Sequence, residues 1–262
     1  YVLGPFMARF DKAQVSLPGG CAWGPRPVDF HIKALEKMGA KINLKGGYIK
    51  AEGKLNGTNI IFEKSSVGAT GNVLMACTNL NKKVVIKNAA KEPEIVDLCN
   101  FLVKIGVEID GIGTSTLSVK GSSLTNKNLK INYTIIPDRI EAGTFLIAAA
   151  ATRSTIRLKD VNTKHLDIVI DSLEQAGSTI NTISKNSIEI IPSDIINTVN
   201  IKTDIYPGFP TDLQAQWVVL MAIADGESSV KDTIYIDRFS HSLYIKRVLE
   251  VISINYRLNM WV

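Results

Sequence analysis

One secondary-structure order, β-α-β-α-β-β, is written at least twice along this chain, and that repetition restricts the fold more than any other feature. Asn59-Ile60-Ile61-Phe62 reads as a strand, followed by a helix of small residues over 67–80 and a strand at Val84-Val85-Ile86. Residues 93–105 then place Ile95, Leu98, Cys99 and Leu102 on one helical face. Gly106 stops that helix, and strands follow at 107–109 and 116–119. The order returns in a strand at 130–133, a helix over 142–151, a strand at 155–158 and a helix over 166–176. That last helix carries Leu166, Val169, Ile170 and Leu173 on one face. Gly177 stops it, 71 residues after Gly106, and strands at 179–180 and 188–190 close the unit.

Two partial copies flank these. The front copy reads as a strand at 14–17, a helix over 28–38, a stop at Gly39, and strands at 41–44 and 48–50. The rear copy reads as a strand at 200–202, a helix over 213–224 and a strand at 229–231. The chain therefore starts inside one unit and ends inside another, and a longer protein is expected. The fold class is α/β, built from repeated βαβαββ units.

Composition excludes several classes. With 262 residues, 45% hydrophobic and 21% charged, the chain suits one large domain or two smaller ones. Its longest apolar run, 217–224, is far short of the roughly 20 residues that span a bilayer. Three cysteines, Cys21, Cys77 and Cys99, lack metal-ligand spacing and point to a reducing compartment. The net charge of +5 is spread along the chain, with one adjacent basic pair at Lys82-Lys83. A solvated basic surface is expected, and no nucleic-acid partner. His31, His165 and His241 show no ligand spacing, so neither a metal nor a cofactor is expected. Gly111-Ile112-Gly113 opens no helix and is read as a hairpin turn.

Cys21 has a distinctive setting. It lies in Pro18-Gly19-Gly20-Cys21-Ala22-Trp23-Gly24-Pro25-Arg26, where glycine and proline disfavour regular structure and an arginine follows five residues on. A thiol on such a loop is expected to be reachable, and the arginine favours its thiolate. At Lys64-Ser65-Ser66-Val67-Gly68 a strand meets a helix start, an arrangement that serves either as plain N-capping or as an anion site.

These segments carry a resemblance. SLPGGC (16–21), GPRPVDFHI (24–32), KSSVGAT (64–70), NAAKEPEIVD (88–97), PDRIEAGTF (137–145), FPTDLQAQ (209–216) and IDRF (236–239) resemble the UDP-N-acetylglucosamine enolpyruvyl transferases of peptidoglycan synthesis, in order and spacing. The resemblance implies two inside-out α/β barrel domains, each of three βαβαββ units, around a central cleft. It places most of the cysteine-loop domain in 1–136 and part of the second domain in 137–262, with a hinge near 136–141. It implies transfer of the enolpyruvyl group of phosphoenolpyruvate to the 3-hydroxyl of UDP-N-acetylglucosamine with release of phosphate, in the cytoplasm and without a membrane partner. Cys21 would be the proton donor, and Asp212 the base beside the sugar hydroxyl. Arg26 would meet the phosphate of phosphoenolpyruvate. Arg26, Pro27, Val28, Asp29 and Phe30 match the uridine-contacting segment, and Lys64, Ser65, Ser66, Val67 and Gly68 the segment binding the nucleotide diphosphate. Ile234 would offer a backbone contact to the sugar nucleotide. Arg238 matches an arginine near the cleft and is either a site residue or a structural one. Asp138, Arg139 and Glu141 are either hinge residues or a surface ion pair.

The resemblance is partial. The family's lysine–asparagine pair and two of its active-site arginines have no counterpart here, and the match fades after Phe239. Two rivals follow: a sugar-nucleotide binder without turnover, and the related enolpyruvylshikimate-phosphate synthase. The PGGC and KSSVGAT segments argue against the second.

Overall fold

The structure, a computed structural model, describes residues 1–18, 28–122, 130–235, 238–239 and 241. Among these the chain divides into two compact units, Tyr1–Ile135 and Ile136–Val262.

The first unit opens with α1 (Leu3–Phe10) and β1 (Lys12–Ser16). Sequence gives no sign of α1, because Gly4 and Pro5 are poor helix formers. Pro5 is tolerated in a first turn, where its N–H would lack a helical partner anyway. Gly4 is needed by packing: a Cβ there would collide with the Asn72 carbonyl, while the Gly4 N–H donates to Asn72 Oδ1 at 2.8 Å. Helix α2 (Asp29–Lys37) and strands β2 (Lys41–Lys45) and β3 (Tyr48–Glu52) complete this copy. The next copy runs β4 (Asn59–Ile61), α3 (Val67–Ala76), β5 (Lys83–Lys87), α4 (Pro93–Lys104), β6 (Glu108–Asp110) and β7 (Thr116–Lys120). All six elements form in the expected order and place, except that α3 ends at Ala76, short of the expected end at residue 80. Residues 111–113 turn between the antiparallel strands β6 and β7, as the hairpin reading requires.

The second unit contains α5 (Arg139–Thr152), β8 (Ile156–Lys159), α6 (Asp167–Gln175), β9 (Thr179–Ser184) and β10 (Ser187–Ile191). The rear copy supplies β11 (Ile201–Lys202), α7 (Gln214–Ala222) and β12 (Val230–Lys231). One expected strand is not formed: residues 130–133 carry no regular structure. Tyr133 is held on α4 instead. Its hydroxyl donates to Asp97 Oδ1 at 2.7 Å, its ring meets Phe101 edge-on at 5.2 Å, and Lys104 Nζ lies 5.6 Å from its centroid. Four residues of strand-like pattern are too few to resist such anchors.

The repeat is visible in the sheets. Strand orders β1-β3-β2, β5-β7-β6 and β8-β10-β9 are the same arrangement three times, antiparallel throughout. Where the opening strand of a copy is present it adds in parallel: β4 to β5, and β11 to β12. The stop glycines are conformationally alike, with φ of +106° at Gly39 and +102° at both Gly106 and Gly177. Each N–H bonds back to the carbonyl three residues earlier, and the next residue's N–H reaches five residues back (Ala40 to Leu35, Val107 to Leu102, Ser178 to Leu173). A side chain in this left-handed conformation would be strained, which is why glycine recurs there.

Helix α3 lies inside its unit and strand β3 on its outside. Helix α3 is buried over most of its circumference, from Ala69 through Leu74 and again at Ala76, whereas β3 alternates exposed and buried along its length. Alternation leaves one sheet face on the core and the other in water. Met7, Leu35, Met38, Leu74, Ile86 and Leu117 form the centre of the first core. Leu146, Ile147, Leu173, Ile188 and Trp217 form the second, where Phe209 meets Trp217 edge-on at 5.4 Å. Each large side chain removed from water stabilises its unit by about 1.5–3 kcal/mol before entropy is subtracted.

Candidate active site

The residues selected from sequence fall into two clusters, one in each unit. Cys21, Arg26 and Pro27 lie outside the described residues.

In the first unit the site is a helix start. Ser66 adopts an extended conformation (φ −142°, ψ 114°), and its Oγ accepts from Ala69 N at 3.2 Å. That bond satisfies one of the four donors every helix leaves at its N-terminus. Val67 and Gly68 provide the first amides of α3, the position where the helix dipole and exposed N–H groups favour an anion. Lys64 is exposed just ahead of them, and Ser65 is half-buried. Helix α2 packs beside this start. Half-buried Phe30 lies 6.1 Å from the ring of Phe62, and exposed Lys33 reaches Glu63 at 3.3 Å and Asp29 at 3.9 Å. Half-buried Val28 precedes the helix, and Asp29 is its first residue. The segments 28–30 and 64–68 are thus brought together.

His31 belongs to this cluster, although the sequence shows only that it lacks ligand spacing. A Cβ on Gly68 would sit 3.2 Å from His31 Nε2, so the imidazole packs directly on the first turn of α3. Burial holds the His31 pKa below the usual imidazole value, opposed by Asp29. The ring is therefore neutral at pH 7. At the C-terminal end of α3 burial pushes the Cys77 thiol up to about 12, and on α4 it pushes the Cys99 thiol up to about 11.

In the second unit the site is a side-chain network. Asp212 follows Thr211 in a single 3₁₀ turn, Thr211–Leu213, that leads into α7. Arg238 donates to Asp212 Oδ1 from both Nη1 and Nη2 at 3.0 Å, and from Nη1 to Thr211 Oγ1 at 3.0 Å. Its guanidinium carbon also lies 5.6 Å from the ring centroid of Tyr235. The Asp212 side chain is 60% exposed, while that of Arg238 is 18% exposed. A pair so open on one side is worth little to stability, so what it provides is orientation of the carboxylate. Ile234 is exposed, and its backbone N–H is bonded to Asp232 Oδ1 at 2.9 Å.

Asp232 joins Asp212, Arg238 and Ile234 into one cluster, and sequence reasoning missed it together with Thr203 and Thr211. One signal was present: in Asp232-Thr233-Ile234-Tyr235 an aspartate accepts from backbone N–H groups two and three residues on, as Asx motifs do. Near the domain crossing, Asp138 is an N-cap. Its Oδ1 accepts from Ile140 N at 2.8 Å and Glu141 N at 3.1 Å, and Arg139 lies over the Tyr206 ring at 5.4 Å.

The repeated βαβαββ units with their buried small-residue helices place the fold with the enolpyruvyl transferases. The chain belongs to the EPSP synthase (3-phosphoshikimate 1-carboxyvinyltransferase) family, which residues 1–248 match. Within it, the chain is 50% identical over 249 residues to the UDP-N-acetylglucosamine 1-carboxyvinyltransferase of Sulfurovum sp. (strain NBC37-1), covering 94% of this chain and 58% of that protein. It is 48% identical over 257 residues to the protein of the same name from Sulfurimonas denitrificans (strain ATCC 33889 / DSM 1251), covering 97% and 60%. The chain thus spans 58–60% of the length of these relatives. The fold is similar to that of the enolpyruvyl transferase NikO from Streptomyces tendae, with a TM-score of 0.80 at 17% identity over 94% of this chain and 58% of that one. It is similar also to EPSP synthase from Acinetobacter baumannii, with a TM-score of 0.57 at 20% identity over 87% of this chain and 53% of that one.

Proposed function

We propose that the complete protein carrying this chain transfers the enolpyruvyl group of phosphoenolpyruvate to the 3-hydroxyl of UDP-N-acetylglucosamine and releases phosphate, as in peptidoglycan precursor synthesis. The single observation that carries this reading is the Asp212 carboxylate, held by Arg238 at 3.0 Å with 60% of its side chain open, in a chain 46–50% identical to proteins named for that activity.

The chemistry assigns the roles. The sugar hydroxyl oxygen bonds to C2 of phosphoenolpyruvate while C3 takes a proton, giving a tetrahedral ketal. Loss of a C3 proton then expels phosphate and restores the double bond. Asp212 accepts the hydroxyl proton, a step that a positioned carboxylate assists by about 10²–10⁴. Cys21 delivers the proton to C3, and Arg26 meets the phosphate through its planar fork. The amides of Val67 and Gly68, with Lys64 beside them, receive the diphosphate. Arg26, Pro27, Val28, Asp29 and Phe30 flank the uridine, and the backbone of Ile234 contacts the sugar nucleotide. The hinge is assigned to 136–141, with residues 1–136 and 137–262 in different domains. No helix among the described residues is long and apolar enough to cross a membrane. We assign the protein to the cytoplasm, where both substrates are made.

A coupled phosphate assay on the protein expressed from its complete coding sequence tests this. Release is expected with phosphoenolpyruvate and UDP-N-acetylglucosamine together, and not with either alone. Release driven by shikimate 3-phosphate instead would move the protein to the other branch of its family.

A further inference from the structure

Four hydrogen-bond donors converge on the buried carboxylate of Asp232, which is 7% exposed. Oδ1 accepts from Thr203 Oγ1, Ile234 N and Tyr235 N, each at 2.9 Å. Oδ2 accepts from Thr211 Oγ1 at 2.6 Å, the short distance of a charge-assisted bond. The Thr211 hydroxyl hydrogen is therefore spent on Oδ2, and its oxygen is left to accept from Arg238 Nη1 at 3.0 Å. Arg238 in turn holds Asp212.

We propose that Asp232 is a positioning residue whose two oxygens serve different halves of the site. Oδ1 sets the backbone at 234–235, and Oδ2, through Thr211, sets Arg238 against Asp212. The proposal rests on the enolpyruvyl transferase reading for the meaning of its kinetics, and the division of labour is what makes it testable. In Asp232→Asn, the three donors on Oδ1 keep the amide oxygen facing them. The amide nitrogen then faces Thr211, whose hydroxyl hydrogen loses its acceptor, and the orientation of Arg238 is released. The backbone half survives and the Arg238 half is lost.

The kinetic test uses the protein with its complete coding sequence. Asp232→Asn is expected to lower kcat about tenfold while KM for the sugar nucleotide stays within about twofold. Thr211→Val is expected to do the same, Thr211→Ser to recover most of the loss, and the double variant Asp232→Asn/Thr211→Val to be no worse than either single one. Asp232→Ala is expected to raise KM as well, because it also removes the backbone anchor. A merely structural role would lower Tm in every variant without separating kcat from KM. Unchanged kcat in Asp232→Asn and Thr211→Val, or losses that multiply in the double variant, would overturn the proposal.

A second readout needs no turnover. Amide exchange at Ile234 and Tyr235 stays slow in Asp232→Asn and accelerates in Asp232→Ala, and the guanidinium resonances of Arg238 shift in Asp232→Asn and Thr211→Val. If the unaltered protein releases no phosphate, the enolpyruvyl reading fails while these signals still decide the role of Asp232. Unmoved Arg238 resonances, or amides indifferent to Asp232→Ala, would refute it.

Discussion

The two units build their clusters in different ways from the same repeat. In the first, residues 64–68 present a helix start capped by Ser66, and the groups offered are main-chain amides on a helix sunk in the core. In the second, the start of α7 is preceded by a side-chain relay running Asp232, Thr211, Arg238, Asp212. Backbone amides give a fixed geometry that depends on the helix alone. A relay depends on every member and gives a carboxylate whose position is set from several directions. Anion binding suits the first construction and proton transfer the second.

Breaking the relay at its end should have the largest effect. Asp212→Asn removes the carboxylate proposed as proton acceptor and keeps its shape, so kcat is expected to fall by about 10²–10⁴ with little change in sugar-nucleotide affinity. Steady-state kinetics on the complete protein check this, and a kcat near that of the unaltered protein removes Asp212 from the mechanism.

The first construction requires a helix seated in a closed core. Cys77 at the C-terminal end of α3 and Cys99 on α4 are buried in that core, with thiols pushed up to about 12 and about 11. The Cys77 thiolate population at neutral pH should lie far below that of an ordinary thiol. Alkylation of the native protein, including by an epoxide of the fosfomycin type, is expected to map to Cys21 first. Early labelling of Cys77 or Cys99 would show that the core under α3 opens, and would weaken the comparison.

A smaller effect tests the cap. Ser66→Ala removes the acceptor for Ala69 N and should cost about 1 kcal/mol, whereas Ser66→Gly should cost only a few tenths. Thermal melts resolve the two, and equal Tm losses would mean that the side chain does not stabilise the helix start.

The smallest effect concerns His31 against that same start. Its folded pKa is lowered, chiefly by burial, so the native state binds a proton less readily than the unfolded chain. Its contribution to stability is complete above the unfolded value near 6.5 and is lost as pH falls through that value toward the folded one. Comparing Tm between pH 8 and pH 5 in the native protein and in His31→Gln should show a shallower acid decline in the variant. Parallel curves would place the imidazole in water and away from Gly68.

Much of the first cluster was legible before the structure. Ser66 followed by small residues after an apolar strand is a local pattern, and local patterns survive folding. His31 was missed because its neighbour Gly68 is 37 residues away and no periodicity links them. The strand expected at 130–133 failed for a related reason: Tyr133 finds Asp97 and Phe101 on α4, partners that the four residues themselves do not announce.

What the sequence by itself determined is the repeat: apolar periods, helix lengths and the glycines at 39, 106 and 177, each read within a window of a dozen residues. Backbone conformation answers to such short-range terms, so the same sheet order formed three times. Only the tertiary structure decided the relay around Asp232. Parallel pairing sets Ile201 opposite Val230 and Lys202 opposite Lys231, and the next step of that register brings Thr203 to Asp232. Thr211 and Arg238 arrive from still other segments. Hydrogen bonds between side chains so far apart in the chain have no local signature, because their partners become neighbours only after the strands have paired.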